Sequence, residues 1–363
     1  MGRSSSERVS DETLAWLRAA VEGGASDIHL VAGYPATFRL HDELVSLDEP
    51  PLDEGRLRAV LQELCSDEAF ARFLAEKNLD FALELDLDGR RQRFRVNYFF
   101  SGDLPGACLR IIPHSIPSLE WAGFPQDLAE RLISQRDGLV LITGVTGSGK
   151  TTTLAILIDR LARRGGYRII TIEEPIEYLF TGSGGSIVTQ REVGRDVPSF
   201  ADGLKYGLRQ DPDVFLVGEI RDRQTAQLAL SAAETGHLVF STLHTRDAKG
   251  AISRFTDLFP QSVQGEIRAQ LALSLRAVVC QHLLPNREPG AKRQLALEVL
   301  FNTSPIAAAI RTGRIEQIDN HIITGRADGM VTLNESVKRL WQEGRISWET
   351  ALHHMTDPAL LHG

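Results

Sequence analysis

The sequence predicts an α/β protein of two domains, and three observations carry that prediction. Its 363 residues exceed what one core usually holds, at roughly 150 residues per domain. In the second half, short apolar runs of strand character alternate with helical stretches, as in a mainly parallel sheet. Between the first of those strands and the helix after it lies a Gly-rich segment, residues 144–151, of the kind that wraps phosphate.

The first domain is read over 1–112. Residues 1–9 look loose, and Ser10 is placed to cap a helix with Asp11 and Glu12 in its first turn, ended by Gly23-Gly24. Strands are expected at Asp27–Val31 and Ala36–Leu40, then one helical stretch from about Asp53 to Lys77. Phe81, Leu83, Leu85 and Leu87 alternate with polar residues, and Asp88-Gly89 is a strong two-residue turn, so a hairpin follows. Its return strand carries Arg91, Arg93 and Arg95 on one face, Phe94 and Val96 on the other. Pro113, Pro117, Gly123 and Pro125 break both periodicities, which puts a linker at 113–125.

The second domain, 126–363, has expected strands at Gly138–Gly144, Arg168–Glu173, Val214–Glu219, His237–Leu243 and Leu295–Phe301. Its end is read as helical, Asn334–Glu343 stopping at Gly344 and Ser347 starting another short helix.

Composition narrows the class. Hydrophobic residues are 42% and charged residues 24%, ordinary for a globular chain, and a net charge of −8 argues against a nucleic-acid partner. The three cysteines, Cys65, Cys108 and Cys280, form no CxxC pair, so neither a zinc knuckle nor a disulfide framework is expected and a reducing compartment fits. The most apolar run, Leu139–Ile142, is too short for a bilayer, and the N-terminus has no apolar secretory region. Met1-Gly2 with Ser6 formally matches a myristoylation pattern and is read as chance. Together these features predict a cytoplasmic protein that reaches any membrane by docking to partners.

Gly144-Val145-Thr146-Gly147-Ser148-Gly149-Lys150-Thr151 satisfies GxxxxGK[ST] at every fixed position and has the required strand before it and helix after it. Its backbone N–H groups suit ATP phosphates, Lys150 the β/γ-phosphates and Thr151 a Mg²⁺ ion, with Thr152 beside them in the same cradle. Val214–Glu219 resembles the acidic strand of such enzymes, with Gly218 where an aspartate is usual. Glu219 is read as the carboxylate for Mg²⁺ and the attacking water, in preference to a plain helix-start acid. Glu173, Glu174 and Glu177 end another expected central strand, and they divide evenly between joining that network and forming a solvated acidic loop. A single histidine is most often structural, which is the reading for His29. His237 and His244 bracket a strand of the sheet and are candidates to sense the γ-phosphate.

With these residues in view the chain resembles the type II/IV secretion ATPases, and within them the PilT-like retraction motors of type IV pili, over about residues 20–357. Ser26–Leu30 resembles the family's N-terminal signature, Arg93-Phe94-Arg95-Val96-Asn97 its arginine strand, and Thr171–Glu177 its Asp box, with Glu174 where Asp is usual and Glu177 on the catalytic acid. Gln190–Gly194 and Leu208–Asp213 match the approach to Walker B. Gly218-Glu219 with Arg221-Asp222 is the family's atypical Walker B, and Thr235-Gly236-His237 to Leu243-His244-Thr245 its His box.

The resemblance implies a PAS-like α+β N-terminal domain and a RecA-like P-loop ATPase domain with a helical C-terminal end. It also implies a homohexamer, ATP and Mg²⁺, Arg95 and, as second candidate, Arg110 acting on a neighbour's nucleotide, and docking to an inner-membrane pilus platform protein, with a paralogous pilus ATPase as a further partner. The absence of an additional N-terminal domain and of a tetracysteine element favours the retraction branch. Against it, the stretch that usually reads AIRNLIRE is Pro305–Thr312 here, Ala-rich at 307–309. The alternatives are therefore an accessory or assembly ATPase, or a weakly hydrolysing regulator. A RecA-like translocase on nucleic acid has no basic footprint to support it.

Overall fold

The computed structural model describes residues 9–40, 43–112, 115–180 and 184–362. Residues 1–8, with the Met1-Gly2 pattern and Ser6, and Pro113 at the start of the expected linker lie outside the described residues. The chain divides into two compact units, residues 1–115 and 116–363, each with its own sheet and core.

In the first unit, helix α1 (Asp11–Glu22) is capped by Ser10, whose Oγ accepts from Thr13 N, and it buries Leu14, Trp16, Leu17 and Ala20. Strands β1 (Asp27–Val31), β2 (Thr37–Leu40) and β3 (Glu43–Ser46) follow. The expected single helix is two, α2 (Glu54–Glu63) and α3 (Asp67–Glu76), because the Ser66 side chain takes Ala69 N and starts a new helix. Then come β4 (Asn78–Leu87), β5 (Arg90–Ser101) and β6 (Leu104–Ile112), giving an antiparallel sheet in the order β3-β2-β1-β6-β5-β4.

Asp88 (φ 56°) and Gly89 (φ 80°) both take the left-handed conformation that a two-residue hairpin turn needs. The register sets Asp86 across from Arg91, Glu84 from Arg93 and Ala82 from Arg95. Of the two ion pairs that register suggests, Glu84 with Arg93 forms, while Arg91 turns away from Asp86. Arg91 leans diagonally to Glu84 (3.6 Å), which Arg93 also approaches (3.8 Å), while Asp86 takes Gly89 N (2.7 Å) and holds the turn. Phe73, Phe94 and Tyr98 fill the core, and the Tyr98 hydroxyl donates to Leu61 O across 2.8 Å.

The second unit opens with α4 (Leu119–Ala122) and α5 (Gln126–Ile133). Leu119 and Phe124 are buried in its core, so the latter part of 113–125 is folded into this unit. Next are β7 (Gly138–Thr143), α6 (Lys150–Arg164), β8 (Arg168–Glu173), β9 (Ile187–Glu192), α7 (Phe200–Gly207), β10 (Val214–Val217), α8 (Arg223–Glu234) and β11 (Leu238–Leu243). They are followed by α9 (Ala248–Asp257), α10 (Gln264–Ser274), β12 (Leu275–Leu284), β13 (Gln294–Phe301), α11 (Ser304–Thr312), α12 (Ile318–Thr324), α13 (Leu333–Gln342) and α14 (Trp348–His354).

The sheet runs β13-β12-β7-β11-β10-β8-β9, parallel throughout except for the β12–β13 pair. Two strands of this sheet, β9 and β12, lie outside the expected set, as does β3 in the first unit. Residues of β7, β10 and β11 are buried without exception, as in a sheet covered on both faces. The carboxyl ends of these parallel strands lie along one edge, where open α/β sheets place their ligands.

Candidate functional site

The Gly-rich segment turns from the end of β7 into α6. At Gly144 φ is +141°, and a Cβ there would lie 2.5 Å from Gln281 O and against Ser148 Oγ, so only glycine fits. Gly147 (φ +77°) and Gly149 (φ +88°) complete the turn. Lys150 Nζ folds back to donate to Gly144 O (2.9 Å) and Val145 O (3.0 Å). Burial lowers the Lys150 pKa, and the carboxylates of Glu219 and Glu177 oppose that shift. Ser148 Oγ is buried with no hydrogen-bond partner among the described residues. Thr151 is exposed, and the Thr152 hydroxyl is fixed by the Tyr178 hydroxyl at 3.0 Å. The first N–H groups of α6 have no partner within the helix, so the segment is an anion cradle with a lysine poised at its rim.

Glu219 follows β10 at the same edge. Its carboxylate pairs with Arg221 and lies 3.5 Å from His244 Nε2, at the end of β11. Arg221 reaches Glu174 as well, at 2.9 Å. Burial lowers the His244 pKa, nearby Lys150 adds to that, and Glu219 works against it. The strand ends are locked to each other: Ser241 Oγ donates to Val217 O and Thr242 Oγ1 to Gly218 O, both across 2.7 Å. At Gly218, where such strands usually carry an aspartate, a Cβ would stand 3.3 Å from both Ile172 O and the Phe200 ring, a close fit. Of the other acids, Glu173 is buried and receives Thr171 Oγ1 (2.6 Å) and Gln190 Nε2 (3.1 Å), whereas Glu177 is close enough to Lys150 to raise its pKa.

The structure thus brings residues 144–152, Glu177, Glu219 and His244 to one edge. It does not bring His237 there. That residue precedes β11, at the opposite end of the sheet, roughly 20 Å away at about 3.3 Å per residue. Its Nδ1 lies 3.0 Å from Ala232 O and 3.2 Å from Thr235 Oγ1, and its ring packs on Phe215, so within this chain it finishes α8. Of the two histidines expected to face phosphate, only His244 lies at the cradle's edge in this chain. Arg95 and Arg110 belong to the first unit, side by side on β5 and β6. Arg110 Nε donates to the buried Asp27 carboxylate at 2.9 Å, and Arg95 has Ala82 on its other side. Burial lowers the His29 pKa on the same sheet.

Sequence reasoning missed Ser241, Thr242 and Tyr178. The signal for the first two was present: a pair of hydroxyl residues inside an otherwise apolar strand.

The sequence model of the type II/IV secretion system protein family matches residues 3–363. A protein of Escherichia coli K12 named "Uncharacterized protein YggR" is 40% identical over 327 residues, which is 90% of this chain and 97% of that one. The type IV pilus retraction ATPase PilT of Pseudomonas aeruginosa PAO1 is 39% identical over 335 residues, 92% of this chain and 95% of PilT. Among solved structures, the crystal structure of the pilus retraction motor PilT with bound ADP aligns with a TM-score of 0.85 at 39% identity, over 96% of this chain and 98% of the other.

Proposed function

The chain belongs to the type II/IV secretion system protein family, and on that premise we propose that it is an ATPase motor that drives retraction of type IV pili. The observation that carries the reading is the convergence of the 144–151 cradle, Lys150, Glu219 and His244 on one sheet edge. In this reading ATP phosphates lie in the cradle, and Lys150 exchanges its two carbonyl partners for phosphate oxygens. Glu219 orients the attacking water, His244 faces the γ-phosphate and Glu177 contributes a second acid.

Mg²⁺ fits this donor set, since Thr151 and Glu219 offer hydroxyl and carboxylate oxygens, the hard ligands this ion prefers. When bound it neutralises charge on the phosphates.

The first unit is read as PAS-like and the second as RecA-like, with six copies forming a ring in which Arg95, and after it Arg110, reaches a neighbour's nucleotide. No helix among the described residues is long and apolar enough to cross a membrane. In this reading the ring works at the cytoplasmic face, docked peripherally on a membrane platform protein and beside a paralogous ATPase.

Steady-state ATPase with Mg²⁺, with Lys150→Ala as control, tests the enzyme. Activity that rises more steeply than protein concentration, with a hexamer by light scattering, tests the ring. Loss of twitching with extra surface pili on gene deletion tests retraction. A turnover unaffected by Lys150→Ala defeats the whole reading.

A further inference from the structure

His244 sits at the start of the segment 244–248, which leads from β11 into α9. Three side chains of the β12–β13 hairpin hold that segment at successive points. Cys280 Sγ donates to Thr245 O (3.6 Å), and His282 Nε2 lies 3.0 Å from Arg246 O. Because a carbonyl only accepts, His282 donates there. Glu298 Oε1 takes Ala248 N across 2.6 Å. Cys280 and Glu298 are direct cross-strand partners, and β12 pairs with β7, the strand that leads into the phosphate cradle. A cavity of about 760 Å³ beside the hairpin is bordered by Val145 of the cradle together with His282 and Glu298, so the hairpin and the cradle share one space. Burial pushes the Cys280 thiol up to about 12, so it keeps its proton and remains a donor. Burial also lowers the His282 pKa, favouring the neutral ring.

We propose that Cys280, His282 and Glu298 form a clamp that positions His244 against Glu219 for nucleotide hydrolysis. None of the three touches nucleotide in this scheme, so they are positioning residues. The clamp rests on the ATPase reading above and deepens it. Holding a peptide segment at three points fixes both the height of His244 over the sheet edge and the entry angle of α9, whose own cap is Asp247. Without the clamp the His244 ring still exists but samples positions away from Glu219, and only turnover suffers.

The test compares the full chain with Glu298→Ala and His282→Leu, measuring kcat for ATP with Mg²⁺ and affinity for a fluorescent ADP analogue at one pH. Each variant should lose about tenfold in kcat, the worth of one lost hydrogen bond at the reacting edge, with ADP affinity unchanged. Glu298→Gln keeps the acceptor for Ala248 N and should restore kcat to within about twofold. The double variant should lose less than the product of the two single losses, since both act on one segment. Cys280→Ala, the smallest change, should give a weaker loss in the same direction and keeps the test open should the larger substitutions fail to fold. Wild-type kcat in these variants, an equal loss of ADP affinity, or failure of Glu298→Gln to rescue overturns the clamp. An unmodified chain that does not hydrolyse ATP removes the ATPase reading instead, so the two failures are told apart.

Discussion

His244 Nε2 stands 3.5 Å from Glu219 Oε2, joining the ends of the adjacent parallel strands β11 and β10. Glu219 also pairs with Arg221, so its carboxylate is held between two cationic or potentially cationic groups, beside the lysine of the cradle.

Replacing Glu219 by Gln removes the charge that orients water and leaves the cradle intact. Turnover should fall on the order of 10²–10³-fold while ADP binding persists. Lys150→Ala should abolish hydrolysis and weaken binding as well. Near-normal kcat in Glu219→Gln, measured by phosphate release, contradicts the assignment.

The arginines of the first unit should work in trans. Arg110 is engaged with Asp27, whereas Arg95 has Ala82 and Arg110 as its cross-strand neighbours, which makes Arg95 the first candidate. Mixing Arg95→Ala chains with Lys150→Ala chains should recover activity that neither has alone, since one supplies the site and the other the arginine. Wild-type turnover in Arg95→Ala alone transfers the role to Arg110.

Helix α11 survives its alanine-rich sequence, as helix propensity leads one to expect. It buries Ile306, Ala309 and Ile310 and leaves Ala307 and Ala308 only partly covered. Ala307→Arg with Ala308→Asn therefore adds polar groups at half-buried positions, the first of them bordering the core. ATPase should stay within about twofold, on the usual small effect of surface changes, and twitching should increase. A changed ATPase with unchanged motility assigns that helix to the catalytic cycle.

Glu298 ties stability to pH. Burial raises its pKa to about 7, Asp247 and Asp319 add to the rise, and Ala248 N–H and Lys249 oppose it; His282, His353, His354 and Arg246 share its cavity. A folded-state pKa above the ordinary carboxylate value favours the protonated form on folding. The associated stability is complete below that ordinary value and is lost as pH rises through about 7. Glu298→Gln cannot ionise, so its Tm should exceed that of the unmodified chain at pH 8 and approach it at pH 5. At about 2–4 °C per kcal/mol for a unit of this size, calorimetry resolves the gap. Parallel Tm curves for the two proteins contradict the buried-charge account.

Much of the site was legible because it is contiguous. The cradle's glycines, Lys150 and Thr151 lie within one short segment whose chemistry is local. The hairpin at Asp88-Gly89 was legible for the same reason, down to the register that puts Arg95 opposite Ala82. What escaped is long-range or unpunctuated. Strand β12 follows α10 with no residue between Ser274 and Leu275, and its apolar run lacks the alternation that marks a half-exposed strand. The break at Ser66 is a cap that looks like any helical serine until Ala69 N turns to it. The contacts of Arg221 with Glu174, of Thr242 with Gly218 and of Glu298 with Ala248 join positions distant in sequence, and neither spacing nor composition encodes them.

Gly218 couples the end of β10 to the residue at position 200. A side chain at that position meets the Ile172 carbonyl and the Phe200 ring at once, and the carbonyl is already engaged by Gly218 N. An aspartate there requires the Phe200 ring or the end of β8 to give by a few tenths of an ångström, and a smaller residue at 200 would ease that demand. With Phe200 in place the β10 end is most easily served by Glu219 as its acid, so the size of residue 200 and the chemistry open to position 218 are coupled.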